Sequence, residues 1–255
     1  MNGLKCILKF AVPVPDIKKY SRFLFIGPHP DDIEIGAGAT AARLAAEGKA
    51  VCFLICTDGR YGDGFTDLRG DALAARRMEE ALESAKRLGV TDVRFLNLSD
   101  GGFYEKEALA AGIAKTIGDF QPEVVFAPDP CVTSECHQDH LNVGRAAGKI
   151  ACFAPYPSLM ERFSANSADV KAIAFYFTSK GNCFVGTRGY EKTQLASIFS
   201  CHKSQFPENS EAGKSIALYL RLRSAYYGLK SFRGRAETFR VLNQTQMHCF
   251  PEGGD

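Results

Sequence analysis

Short apolar runs alternate with longer amphipathic stretches through the first 150 residues of the chain. RFLFIG (22–27), VCFLICT (51–57), VRFLNLS (93–99) and EVVFAP (123–128) read as buried strands. Between them lie stretches of helical spacing: 33–48, 71–89, EALAAGIAKTIGDF and DHLNVGRAAGKIACF. In the second of these, Ala and Leu recur every three to four residues, and Gly89 stands where a helix C-terminus wants glycine. VKAIAFYFTS (170–179) reads as a last strand. Helices of this length between short apolar strands predict βαβ units, an α/β fold whose mostly parallel sheet carries helices on both faces. No repeat, low-complexity tract or linker splits the chain, so a single domain is expected.

The tail, RLRSAYYGLKSFRGRAETFR, reads as helical and basic. Basic residues interleaved with aromatics can hold nucleic acid, but the favoured reading is a surface helix whose aromatics face the core. Arg221, Arg223, Arg233 and Arg235 are alternatives for touching an anionic substrate.

Composition narrows the class without naming it. A hydrophobic share of 45% and a net charge of +2 over 255 residues are ordinary for a soluble globular protein and call for no nucleic-acid partner. No apolar run is long enough to span a bilayer, and MNGLKCILKFAVPVP lacks a continuous signal-type core. Nine cysteines with no CxxC pair, several inside apolar runs, fit free thiols in a reducing cytoplasm better than a disulfide framework. Cys131 or Cys136, near His137, is a minor candidate for ligand or nucleophile.

Candidate chemistry appears where strands end, the place at which open α/β sheets bind ligands. His29, Asp31 and Asp32 follow the first strand in PHPDDIE; Thr57 and Asp58 follow the second, Ser99 and Asp100 the third. Asp129, then CHQDH with His137, Asp139 and His140, follow the fourth. A hydrolytic zinc takes three N or O ligands and leaves a place for water. His29 and Asp32, three apart, turn to one point as the chain enters a helix, and one histidine of CHQDH closes the set. Asp31 then points elsewhere and is free to take the water's proton. The bland reading makes the acidic pair an N-cap in favourable register with the helix dipole.

PHPDDIE with the following GAGAT resembles the AHPDD-type signature of the PIG-L/LmbE family of zinc-dependent N-acetylglucosaminyl deacetylases, and HQDH resembles that family's HxDH motif. TDGRYGD, RMEEALESAKRLGV, LSDGGF, HKSQF and AETF also look like family segments, so the likeness covers about 22–240, leaving 1–21 as an N-terminal extension. The resemblance implies a Rossmann-like fold and hydrolysis of an N-acetyl group on a small glucosamine-containing molecule. It implies His29, Asp32 and His140 as ligands of Zn2+ (or Fe2+) and Asp31 as general base. His137 would stabilise the oxyanion and protonate the leaving amine, oriented by Asp139; Arg77, in competition with Arg76, and Asp100 would contact substrate. Family members often form symmetric oligomers, so a homo-oligomer is compatible. Pro28 replaces the usual alanine, and CVTSEC and the 155–170 stretch put unfamiliar loops beside the expected pocket.

Two rivals belong to other classes. GAGATA reads as G-x-G-x-x-A with Asp58 about twenty residues on, a dinucleotide fingerprint; PHPDDIEI intervenes before its first glycine, however, and carboxylates at the helix entrance repel a pyrophosphate. A silent homologue that only binds a sugar would keep the same fold, but every proposed site residue is retained.

Overall fold

The computed structural model describes residues 10–249. The strands are β1 Arg22–Gly27, β2 Ala50–Thr57, β3 Asp92–Leu98, β4 Val124–Pro128, β5 Ala172–Tyr176, β6 Cys183–Gly186 and β7 Ala236–Asn243. The helices are α1 Asp32–Ala46, α2 Gly70–Arg87, α3 Lys106–Phe120, α4 Gln138–Phe153, α5 Pro157–Glu161, α6 Glu191–Ala196, α7 Glu211–Lys230 and α8 Gln244–Cys249. Among the described residues the strands form one seven-stranded sheet in the order β3-β2-β1-β4-β5-β7-β6. The first five run parallel; β7 pairs antiparallel with both β5 and β6.

Alternate residues of each strand feed opposite cores, as a strand's two-residue period requires. Phe23, Phe25, Phe53, Phe126 and Phe239 pack on one face with Ala37 and Ala41 of α1 and Ala81 and Ala85 of α2. Leu24, Ile26, Leu54 and Val125 pack on the other with Ile113 and Ile117 of α3 and Val143 and Ala147 of α4. Phe25 and Phe126 stack at 4.2 Å across neighbouring strands. The crossovers run outward from β1 to β3, then restart at β4 on β1's other side. The crevice between β1 and β4 is therefore the topological switch point, where divergent loops leave room for a ligand.

Two glycines set how closely α1 and α4 approach the sheet. A Cβ at Gly36 would lie 2.3 Å from the Tyr176 ring, and one at Gly144 would lie 2.4 Å from the Pro128 carbonyl oxygen. Gly36 and Gly38 are thus interior residues of α1, and the dinucleotide reading of GAGATA fails: its glycines serve helix packing, and Asp31 and Asp32 occupy the helix entrance.

The predicted α/β architecture and its parallel half stand, with element ends within a residue or two except for the fifth strand, which is half as long as expected. The tail differs. Helix α7 ends at Lys230, and AETFR belongs to β7. The outward face of α7 exposes Leu218, Tyr219, Leu222, Tyr226 and Leu229, whereas Gly213, Leu220, Ser224 and Gly228 face inward. The aromatics do not turn to the core because small residues bring the helix backbone there: a Cβ at Gly228 would meet the Gly234 carbonyl oxygen. Strand β6 went unpredicted, being four residues long and only partly buried. Ile17 of the N-terminal extension is buried in the core with Val14 and Tyr20 against it, and Met247 packs at the other end, so the packed body exceeds 22–240. The 155–170 stretch follows the far end of α4 and precedes β5, which places it at the opposite edge of the sheet from HQDH.

Gly144→Val should push α4 from the end of β4 and cost about 1–3 kcal/mol, the usual penalty of overpacking. Denaturant unfolding reads this as a lower midpoint at unchanged slope; an unchanged midpoint contradicts the close approach.

Candidate active site

After β1 the chain turns sharply, and both the amide and the hydroxyl of Thr57 donate to the Pro28 carbonyl (2.9 and 2.8 Å). Asp31, the residue before α1, has φ 134° and ψ −24° and makes no capping hydrogen bond. A positive φ on a non-glycine residue is strained, and such strain persists only where surrounding contacts hold it. Here the guanidinium of Arg77 on α2 does so, donating to the Pro30 and Gly59 carbonyls (3.0 and 3.1 Å) and to Asp31 Oδ2 (3.3 Å). The two adjacent carboxylates thereby part company. Asp31 turns to Arg77, while Asp32, at the N-terminus of α1, turns to the histidines.

Asp32 lies between two imidazoles. Its Oδ2 is 3.0 Å from His29 Nδ1 and accepts from the His29 amide at 2.9 Å; its Oδ1 is 3.3 Å from His140 Nε2. Each imidazole is gripped from behind by another carboxylate: His29 Nε2 donates to Asp139 Oδ2 (3.1 Å) and His140 Nδ1 to Glu135 Oε2 (3.0 Å). Asp139 is fully buried and also accepts from the Gly101 and Gly102 amides (2.7 and 2.9 Å), which ties the loop after β3 to α4. His137 is the third imidazole, half exposed; its Nδ1 accepts from the Asp139 amide at 3.3 Å, leaving the proton on Nε2. The His137 Nδ1 to Asp139 Oδ2 distance is 3.8 Å, too long for a hydrogen bond, so the Asp139 carboxylate orients His29 and not, as expected, His137. Phe177, just beyond β5, stacks on the His140 ring at 5.9 Å and completes the wall.

The charges are interdependent. Burial alone would push the His29 imidazole down, but hydrogen bonds to Asp139 and Asp32 carry it up to about 10. His140, likewise opposed by burial, is raised by the Asp32 charge to about 9. Burial would raise Asp32, yet His140 and His29 hold it well below the carboxylate range. Asp31 goes the other way: burial pushes it up to about 6 against the pull of Arg77, with the Asp32 charge adding. Burial and the two neighbouring imidazolium charges lower His137, so it is neutral at pH 7.

Ligand nitrogens of His29, His137 and His140 lie within 4.8 Å of one another, a grouping that could hold a metal ion. The Asp32 separations fit too: donors about 2.1 Å from a tetrahedral cation stand roughly 3.4 Å apart. Carboxylates behind metal-binding imidazoles are the usual outer support, and His29 and His140 have them. The donor set suits a divalent cation. Cys131 and Cys136 are exposed and outside the grouping.

Other expected residues separate. Asp129 forms a buried bidentate pair with Arg240 of β7 (2.6 and 2.9 Å) and is not part of the cluster. Arg77 is 4% exposed and Asp100 5%; Arg77 Nε and Asp100 Oδ1 have no hydrogen-bond partner. Arg76, its rival, is half-buried and turns away to Glu79 and to the buried Glu80. Sequence reasoning missed Glu135, two residues before His137, where only its place in the loop leading to HQDH marked it. HKSQF proves to be scaffolding beneath the site: His202 meets Glu34 (3.4 Å), Ser204 holds Glu80 (2.6 Å), and Gln205 donates to the Gly62 carbonyl (2.8 Å).

The sequence profile of PIG-L, described as GlcNAc-PI de-N-acetylase, matches residues 24–151. A diacetylchitobiose deacetylase from Thermococcus kodakarensis is 33% identical over 97% of this chain and 91% of its own length. The chain belongs to the PIG-L family. A further relative, the 1D-myo-inositol 2-acetamido-2-deoxy-alpha-D-glucopyranoside deacetylase of Kineococcus radiotolerans, is 33% identical over 49% of this PIG-L chain and 43% of its own. Among solved structures, N,N'-diacetylchitobiose deacetylase from Pyrococcus horikoshii, complexed with its inhibitor MPG, superposes with a TM-score of 0.87 at 30% identity. That match covers 98% of this chain and 95% of the other. The resemblance read from HPDD and HxDH thus holds over nearly the whole length. Among the described residues no helix is long and apolar enough to cross a membrane.

A cation can bind His29 and His140 only after displacing their protons. Since those sites sit at about 10 and about 9, metal uptake at pH 7 should release close to two protons. Affinity should then climb with pH, less steeply above about 9, and level off only above about 10. Calorimetric titration with Zn2+ in buffers of different ionisation enthalpy measures the release; uptake without protons contradicts the charge arrangement.

Proposed function

We propose that this PIG-L chain is a zinc-dependent amidohydrolase that removes the N-acetyl group from a small glucosamine-containing molecule, with His29, Asp32 and His140 as metal ligands. Iron(II) suits the same donors. The carrying observation is that His29 and His140 each have one nitrogen held by a carboxylate and the other turned toward Asp32. When bound, the cation supplies Lewis acidity, polarising the amide carbonyl and making water acidic enough to lose a proton near neutral pH.

The remaining work falls to side chains outside the ligand set. Asp31 is pushed up to about 6, so it is charged at pH 7 yet basic enough to take the proton of the attacking water. Arg77 holds it there. His137, neutral and with its proton on Nε2, offers a hydrogen-bond donor to the oxyanion that forms at the acetamide carbonyl, and the proton that Asp31 takes from water is the one delivered to the departing amine. His137 lacks a carboxylate behind it, which supports this role over that of a ligand. Asp139 is a positioning residue acting through His29. The unsatisfied Arg77 Nε and Asp100 Oδ1 support contacts to substrate. Tyr61 and Phe103, exposed and edge-to-face at 5.8 Å, lie on the loops that bear Gly59 and Asp100 and offer apolar surface to a sugar ring. The names of the relatives support a short N-acetylated sugar or sugar conjugate as substrate. A reducing cytoplasm is the compartment that the free cysteines favour.

Acetate release from N,N'-diacetylchitobiose by the zinc-loaded protein is the direct test; no turnover on any N-acetylglucosaminide at full metal loading favours a silent sugar binder. Asp31→Ala should keep its metal and lose more than ~100-fold in kcat, whereas near-normal turnover removes Asp31 as base. His140→Ala should lose the metal, and retention of one equivalent excludes His140 as ligand.

The pH profile checks the base separately. Asp31 must be ionised to work, so kcat/KM should fall with acid below about 6. A bound cation favours the ionised form and moves this limb lower. An acid limb that persists unchanged in Asp31→Asn belongs to another group.

A further inference from the structure

The arginines of the basic tail do not reach the metal cluster. Two of them, Arg221 and Arg235, line a separate cavity of about 400 Å³ between α6 and α7, together with Arg188 and Lys192. This cavity shares no lining residue with the catalytic group. The cations are almost unpaired: among the described residues the side chains of Arg188, Lys192 and Arg221 have no hydrogen bond or ion pair, and Arg235 donates only to the Arg221 carbonyl (2.9 Å). Like charges gathered around one concavity repel, and a counter-anion relieves that repulsion. The carboxylate in the lining, Glu191, accepts from the Gly189 amide through Oε2, while its Oε1 has no partner. Ser224 Oγ, in the same wall, also has none.

We infer that this cavity is a binding site for a phosphorylated small molecule of sugar size, distinct from the deacetylation site. Guanidinium groups match phosphate oxygens in pairs, and a strongly hydrated dianion needs several such donors to leave water. The volume exceeds what inorganic phosphate fills. Leu195 and Leu220 supply an apolar floor for a ring face, and Glu191 and Ser224 supply partners for hydroxyls. The site does not depend on the proposed catalytic mechanism, because its residues make no contact with the metal cluster.

Calorimetric titration of the zinc-loaded protein with glucose 6-phosphate, glucose and inorganic phosphate tests the inference. The expected result is one saturable equivalent of glucose 6-phosphate, weaker inorganic phosphate, and no glucose. In the double variant Arg188→Glu, Arg221→Glu, affinity for glucose 6-phosphate should fall at least about tenfold, with unchanged thermal midpoint and unchanged acetate release. Four outcomes overturn the site: no saturable binding up to about 10 mM, binding undiminished in the double variant, inorganic phosphate binding as tightly as the ester, or binding lost when the zinc is chelated. Loss of acetate release in every form would bear on the deacetylase reading alone.

Discussion

One buried carboxylate, Asp32, between two imidazoles that two further carboxylates hold in place, is the constraint on which the rest of the site depends. A carboxylate this enclosed is costly unless it is compensated, and the compensation here comes from His29, three positions before it, and from His140, 108 positions after it. Each feature of the surrounding fold serves that meeting. The switch point between β1 and β4 puts the two loops side by side, Gly144 lets α4 come down against β4, and Asp139 ties the glycine turn after β3 to His29. Three carboxylates, Asp32, Asp139 and Glu135, face two imidazoles there, and the excess of negative groups suits a cation.

Adjacent aspartates end up with opposite properties for a backbone reason. The strained dihedrals at Asp31 turn its side chain toward Arg77 while Asp32, one residue on, points into the histidine cluster. Asp32 is held ionised by imidazoles; Asp31 is raised by burial and restrained by Arg77. Under the proposed function, this separation leaves Asp32 to hold the cation and Asp31 to move the proton. Arg77, which the family resemblance implies as a substrate contact, uses most of its hydrogen bonds in fixing this turn, and its Nε has no partner.

The parallel half of the sheet and its helices were legible because their signals are local: apolar runs of strand length, three-to-four spacing, and a terminal glycine at Gly89. The antiparallel half was not. Strand β7 hides behind a basic helix and a GRG turn, and its Arg240, buried against Asp129 just beyond β4, looks from sequence like a solvent-facing charge. The outward aromatics of α7 escape a sequence reading because, beside Leu220, the inward positions are Gly213, Ser224 and Gly228, residues too small to register as a hydrophobic face. In the site, His29, Asp31, Asp32, His137, Asp139 and His140 could be named from motif and strand order, since strand ends must converge at the switch point.

What the chain alone determined, then, is which elements form and which chemical groups arrive at the carboxyl edge of the sheet, because period, turn residues and strand order are properties of neighbours in sequence. Which nitrogen faces which oxygen was decided only by folding. That Asp139 grips His29 and not His137, that Glu135 backs His140, that Asp129 is withdrawn to Arg240, and that unpaired arginines gather around a second cavity all depend on distances between residues remote in the chain. Hydrogen bonds and charge pairs act over a few ångströms, and no local pattern specifies separations that small.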